Sequence, residues 1–248
     1  MNNMENVGAI LRVIYKSSDG LKYYRERIVG VVFFLLGKSS KRIFVFGDSH
    51  SLVFKNRRGV LCRHLGPLTL HRFGRDGEAA RLIENAFSWP RRMSWLPFPR
   101  PAFGSTVLVS FGEIDVRVHV KRVSEKNGCS PSVVLEQLAD NALLSLQQLR
   151  CTTESRIVFL GSPPPRRNSY DERFPTSGDF EERVKWTREL KRLIASKISS
   201  HGMQNVYFID VADRFQGDDG ELLDQFSDGT VHYRRGIGSI ILNEIINL

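Results

Sequence analysis

The chain has 248 residues, 41% hydrophobic and 25% charged, which suits one large globular core and excludes a disordered or fibrous architecture. Thirty-six Lys+Arg against 27 Asp+Glu give a net charge of +9, which either serves solubility or favours anionic partners such as acidic glycans, phospholipid surfaces or nucleic acid. No basic run is interleaved with aromatic residues, so a nucleic-acid groove is not expected; Cys62, Cys129 and Cys151 show no C-x-x-C spacing, which argues against a disulfide framework or structural zinc.

The first element is an apolar run, Ile28 to Gly37, about half the length that a membrane span needs. It reads as buried core within an N-terminal helical or apolar extension over residues 1–41. Its basic flanks leave open a peripheral membrane contact through residues 25–42. The N-terminus lacks a basic start followed by an apolar stretch and a small-residue cleavage site, so a cytoplasmic location is expected.

Four apolar, β-rich runs follow at residues 43–46, 106–111, 156–160 and 205–210. They do not alternate with polar residues, as expected of strands buried on both faces of a parallel sheet. GVLCRHLGPLTLHRFGRDG, from residue 59, has room for a further strand, and the four prolines from Pro90 to Pro101 read as a long loop near the site. Ser130 followed by Pro131 predicts a helix start with Ser130 as cap. Residues 179–200 predict a second helix, acidic in its first turn and stopped near Gly202, and GIGSIILNEIINL a terminal one. This order predicts an α/β fold over residues 42–248: a doubly wound, flavodoxin-like parallel sheet of about five strands with helices on both faces.

Gly47-Asp48-Ser49 stands where the first run ends, and ligands of open α/β sheets bind beyond the carboxyl ends of strands. By composition such a triplet arises by chance in about one chain of this length in twenty, so its position must carry the argument. Near the other end lie Asp228 and His232, before the terminal helix. A serine hydroxyl becomes a nucleophile when a base takes its proton, and the base works best when a carboxylate orients it.

This arrangement resembles the SGNH, or GDSL-like, serine hydrolases over roughly residues 42–248. The resemblance implies Ser49 as nucleophile, His232 as general base and Asp228 as orienting acid, with no cofactor and no metal. The Asp-His spacing is four residues rather than the family's three, which Gly229 can absorb through unusual backbone angles; Asp224 is the nearest substitute acid. The family's GxND block corresponds to Gly112-Glu113-Ile114-Asp115. Gly112 and Asp115 match, whereas Ile114 stands where an asparagine would donate to the oxyanion. The loop after the second strand normally supplies a glycine N–H, and Gly66 is preferred over Gly74.

Residues 112–119, GEIDVRVH, resemble a subgroup linked to bacterial polysaccharide biosynthesis or modification. If the strand continues here, Asp115, Arg117 and His119 share one side, making Arg117 a candidate substitute donor or anion clamp; an internal Asp115–Arg117 pair is the alternative. Arg166 and Arg167, after the proline run 163–165, are candidates for orienting an acidic sugar or phosphate, or else belong to a solvated loop. His64, His71 and His201 lack metal-ligand spacing and read as surface or packing residues, while the role of His50 stays open. The implied activity is acyl-ester hydrolysis or O-acyl (acetyl) transfer on a carbohydrate or glycolipid through an acyl-enzyme at Ser49. Two alternatives remain: an inactive SGNH-like carbohydrate-binding module, and a metallophosphoesterase using Asp48 and His50.

Overall fold

The computed structural model describes residues 42–55, 57, 59–64, 69–73, 104–167 and 175–247. The proposed extension over residues 1–41, Gly66, Gly74 and the proline-rich loop from Pro90 to Pro101 lie outside these residues, as does all but Arg42 of the suggested membrane-contacting stretch.

Five short strands, β1 (Ile43–Gly47), β2 (Val60–His64), β3 (Thr106–Ser110), β4 (Arg156–Leu160) and β5 (Val206–Ile209), form one sheet in the order β2-β1-β3-β4-β5. Every pairing is parallel. The chain winds outward from β1 to β2, then returns to lay β3 on the other side of β1. Such a reversal opens a crevice at the carboxyl ends of β1 and β3, where α/β proteins bind ligands.

Side chains alternate across the strands, so each run feeds two cores. Phe44, Phe46, Val107, Val109, Ile157 and Phe159 bury against α3 (Pro131–Thr152) and α4 (Phe180–Ser200). Ile43, Val45, Leu108, Val158 and Leu160 bury on the opposite face, against α5 (Ile237–Ile246) and the 3-10 turn Ser49–Phe54. Double-sided burial is why the runs are continuously apolar. Among the described residues the remaining α-helices are α1 (Leu70–Phe73) and α2 (Val120–Asn127).

Helix ends follow local chemistry. Asp179 caps α4 by accepting from the Glu182 N–H at 2.7 Å, while the Glu182 carboxylate accepts from the Asp179 N–H at 3.0 Å. Gly202, with φ +55°, follows its last turn. Ser130 does precede α3, but its hydroxyl pairs with the Ser132 hydroxyl at 2.7 Å rather than capping an N–H, which corrects the expected cap.

A larger correction concerns residues 113–119. They do not extend β3; the chain turns helical at Glu113 and runs through a π-helical turn, Asp115–His119, into α2. Helical spacing places Glu113 and Arg117 on one face, where the Arg117 Nε donates to Glu113 Oε1 at 2.5 Å. The Asp115–Arg117 pair is therefore replaced by a Glu113–Arg117 pair.

Candidate active site

Ser49 opens the 3-10 turn directly beyond β1. This tight exit requires a glycine before it, because a Cβ on Gly47 would lie 2.6 Å from the Ser110 carbonyl oxygen and 2.9 Å from the Ser51 Cβ. Asp48 caps the turn through the His50 N–H, so its carboxylate faces inward and leaves Ser49 half-buried at the crevice. No hydrogen bond occupies the Ser49 N–H among the described residues, and this donor is free to face an oxyanion.

His232 reaches the same point from the loop between β5 and α5. The Ser49 Oγ and His232 Nε2 lie 2.8 Å apart. The loop is closed by the Asp228 N–H donating to the His232 carbonyl at 3.1 Å and by the Ser227–Tyr233 bridge. Gly229 takes φ +91°, so the extra residue between Asp228 and His232 is accommodated where glycine permits it.

The longer loop changes the contact between Asp228 and His232. Asp228 Oδ2 is 3.8 Å from His232 Nδ1, too far for a hydrogen bond. Thr230 fills the interval: its Oγ1 lies 2.8 Å from His232 Nδ1 and donates to Asp228 Oδ1 at 2.7 Å. Because the threonine proton is directed at the carboxylate, its lone pair faces the ring and favours the Nδ1–H tautomer. That leaves Nε2 able to accept the Ser49 proton. The sequence reading missed Thr230, although a hydroxyl two residues before the histidine is its only signal.

His50, left open by the sequence, turns inward beside this pair. Its Nδ1 lies 3.1 Å from Asp48 Oδ1 and its Nε2 3.1 Å from the Val231 carbonyl oxygen. Burial opposes its charge, but Asp48, with Glu113 and the Val231 carbonyl, raises its pKa to about 9. The His232 pKa is lowered, first by burial and then by the facing His50, against the opposing pull of Asp228, Glu113 and Asp48.

The other sequence candidates are held by contacts of their own. Asp115 is fully buried and accepts from the Leu70 and His71 N–H groups at 2.7 and 3.1 Å, pinning α1 to the segment after β3. Burial raises its pKa to about 7 against the pull of these two donors, with Asp48 and Glu113 adding to the rise. Gly112 has φ +113°, and a Cβ there would meet the Ser162 hydroxyl at 2.9 Å. Ile114 carries no side-chain hydrogen-bond donor. Arg117 does not stand open to an oxyanion or anion, because its guanidinium is held by Glu113 and by the Pro175 carbonyl at 2.8 Å.

The basic pair after β4 is likewise engaged internally. Arg166 binds Asp224 at 2.7 Å, which also occupies the substitute acid; Arg167 binds Glu181, Asp219 and Glu221. Other cations flank Ser49. A cleft of about 220 Å³ beside Ser49 and His232 is lined by Leu52, Lys55 and Arg235 among others. As for metal, His50 spends both ring nitrogens on Asp48 and Val231, and no cluster of three or more potential ligands occurs among the described residues.

No family model matches the sequence, and no curated protein matches it. Solved structures do. A protein from Streptococcus pneumoniae assigned as a platelet activating factor superposes over 99% of this chain and 100% of its own, with a TM-score of 0.58 at 13% identity. A protein from Bacteroides fragilis assigned as an acylhydrolase superposes over 93% of this chain and 98% of its own, with a TM-score of 0.55 at 14% identity. With its parallel five-stranded sheet, the chain has the fold of the SGNH-like hydrolases.

Proposed function

We propose that the chain is a serine-dependent acyl-ester hydrolase or O-acyltransferase that works through an acyl-enzyme at Ser49. One observation carries the reading: the 2.8 Å contact between Ser49 Oγ and His232 Nε2, with Thr230 and Asp228 aligned behind the ring. His232 takes the Ser49 proton as Oγ attacks the acyl carbonyl, then returns it to the leaving alcohol oxygen. Water or a second hydroxyl, activated by the same nitrogen, attacks the acyl-enzyme and regenerates Ser49. Water as acceptor makes the chain an esterase, and a sugar hydroxyl makes it an O-acyltransferase. The acylhydrolase assignment of the Bacteroides fragilis neighbour supports this chemistry.

The substrate class proposed is an acylated carbohydrate or glycolipid bearing negative charge. Arg235 beside Ser49 supports it, in place of Arg166 and Arg167, whose charges are spent within the protein. Among the described residues no helix is long and apolar enough to cross a membrane. The cytoplasmic placement stays part of this proposal, supported by Cys62, Cys129 and Cys151 being free thiols.

Turnover of 4-nitrophenyl acetate by the wild type and by Ser49→Ala, each with and without chelator, tests the mechanism. The expected result is chelator-insensitive hydrolysis that falls by several orders of magnitude in Ser49→Ala. Hydrolysis that survives Ser49→Ala but not chelation supports metal chemistry at Asp48 and His50 instead. Ile114, lacking a donor, favours a non-catalytic binding module as the second reading; absent turnover together with retained glycan binding would select it.

A further inference from the structure

We propose that His50 is a fixed imidazolium that anchors the His232 loop and keeps that base uncharged by facing it with a permanent positive charge. The inference rests on reading His232 as the general base, and it concerns a residue outside the serine–histidine–acid set.

The geometry begins with the acceptors. His50 is only 5% exposed, and each of its ring nitrogens meets an oxygen at 3.1 Å: the Asp48 carboxylate at Nδ1 and the Val231 carbonyl at Nε2. A carbonyl can only accept, and an ionised carboxylate likewise. A neutral imidazole has one N–H, so it would leave one oxygen facing a bare nitrogen lone pair inside the core. The doubly protonated ring satisfies both, with Asp48 as its buried counter-charge.

Two consequences follow for His232. The bond to the Val231 carbonyl ties the residue just before the base to the turn that carries Ser49, across 181 positions of sequence. The rings themselves lie 4.8 Å apart between centroids, tilted by 45°. A second positive charge at that distance is opposed by Coulomb repulsion, so His232 stays neutral and able to accept a proton in mildly acidic solution. Other charges bear on the two rings. Asp48 comes from the end of β1; Glu113, paired with Arg117, comes from the segment after β3; Asp228 comes from the His232 loop. Asp115 interacts electrostatically with Asp48 and Glu113. Burial and His50 outweigh the three carboxylates at His232, whose pKa falls, whereas Asp48 prevails at His50.

His50 is thus a positioning residue with an electrostatic duty, and the test must separate the two. Nitrogen-15 NMR of the histidine rings in the wild type, followed from pH 5 to 9, reads the charge state without requiring turnover. Both His50 nitrogens are expected to stay protonated to pH 8, while His232 titrates below 6.5. In His50→Gln the His232 titration, and with it the acid limb of kcat/KM, should move up by about one pH unit. A bare His50 nitrogen at pH 7, or a His232 titration unmoved in His50→Gln, would overturn the proposal. If His50→Gln does not fold, Asp48→Asn removes the counter-charge instead, and His50 should then titrate near or below neutrality while His232 rises. Loss of ester turnover in the wild type would sink the hydrolase reading alone, since the ring titrations still decide the charge of His50.

Discussion

Replacing Thr230 by valine removes one hydroxyl from the path between Asp228 and His232 while keeping the side chain's shape. The hydroxyl accepts from His232 Nδ1 at 2.8 Å and donates to Asp228 at 2.7 Å. Without it the ring N–H faces a methyl group, and the nearest carboxylate oxygen is 3.8 Å away. A hydrogen bond to a group that becomes charged during reaction contributes about 1.5–3 kcal/mol, so kcat should fall roughly 10- to 150-fold. Part of the effect of Asp228 persists through space. At 3.8 Å in a water-like medium the attraction is about 1 kcal/mol, and the Asp228 side chain is 42% exposed. Asp228→Ala therefore removes both contributions and should cost more, toward the roughly 10⁴-fold loss known for orienting acids. Steady-state hydrolysis of 4-nitrophenyl acetate by the two variants measures this ordering. If Thr230→Val keeps wild-type kcat while Asp228→Ala is severely impaired, the carboxylate reaches the ring directly and the threonine relay is wrong.

Arg117→Ala leaves Glu113 buried without its partner, so it should lower folding stability by about 3–5 kcal/mol in denaturant titration. A stable variant with reduced kcat would instead restore the oxyanion role to Arg117. Arg235 at the rim of the cleft predicts that added salt raises KM for the 4-nitrophenyl monoester of succinate and leaves KM for 4-nitrophenyl acetate nearly unchanged. Arg235→Glu should raise the first KM several-fold; equal responses of the two esters would reduce the rim to a solubility feature. His50 has its pKa raised from 6.5 to about 9, so its contribution to stability is complete below pH 6.5 and is lost as pH rises through 9. The unfolding free energy of the wild type relative to His50→Gln should therefore shrink by up to about 3 kcal/mol between pH 6 and pH 9.5. A constant difference across that range would mean that His50 is not charged in the native state.

The sheet was legible because both faces of each strand are buried, which writes runs such as Ile43–Phe46 and Ile157–Leu160 as uninterrupted apolar sequence. The cap at Asp179 and the strain taken up by Gly229 were legible because each depends on near neighbours. Residues 113–119 misled for a physical reason. Asp115, Val116, Arg117, Val118 and His119 alternate polar and apolar as a strand would, yet the four-residue spacing of Glu113 and Arg117 matches a helix equally well. What decides is tertiary: Asp115 must reach the N–H groups of α1, and Arg117 the Pro175 carbonyl, from positions that a strand would not give. The Ser49–His232 proximity was anticipated through a resemblance, whereas Thr230 and His50 depend on loop geometry that spacing alone does not encode.

The central claim is that His232 makes Ser49 a nucleophile. Intact mass and peptide mapping after exposure to a fluorophosphonate test it most directly, because the reagent phosphonylates an activated serine without needing the natural substrate. The account predicts one adduct per chain, located at Ser49 and formed many-fold more slowly in His232→Ala. A folded wild-type chain that takes up no adduct, or takes it up at another residue, would contradict it.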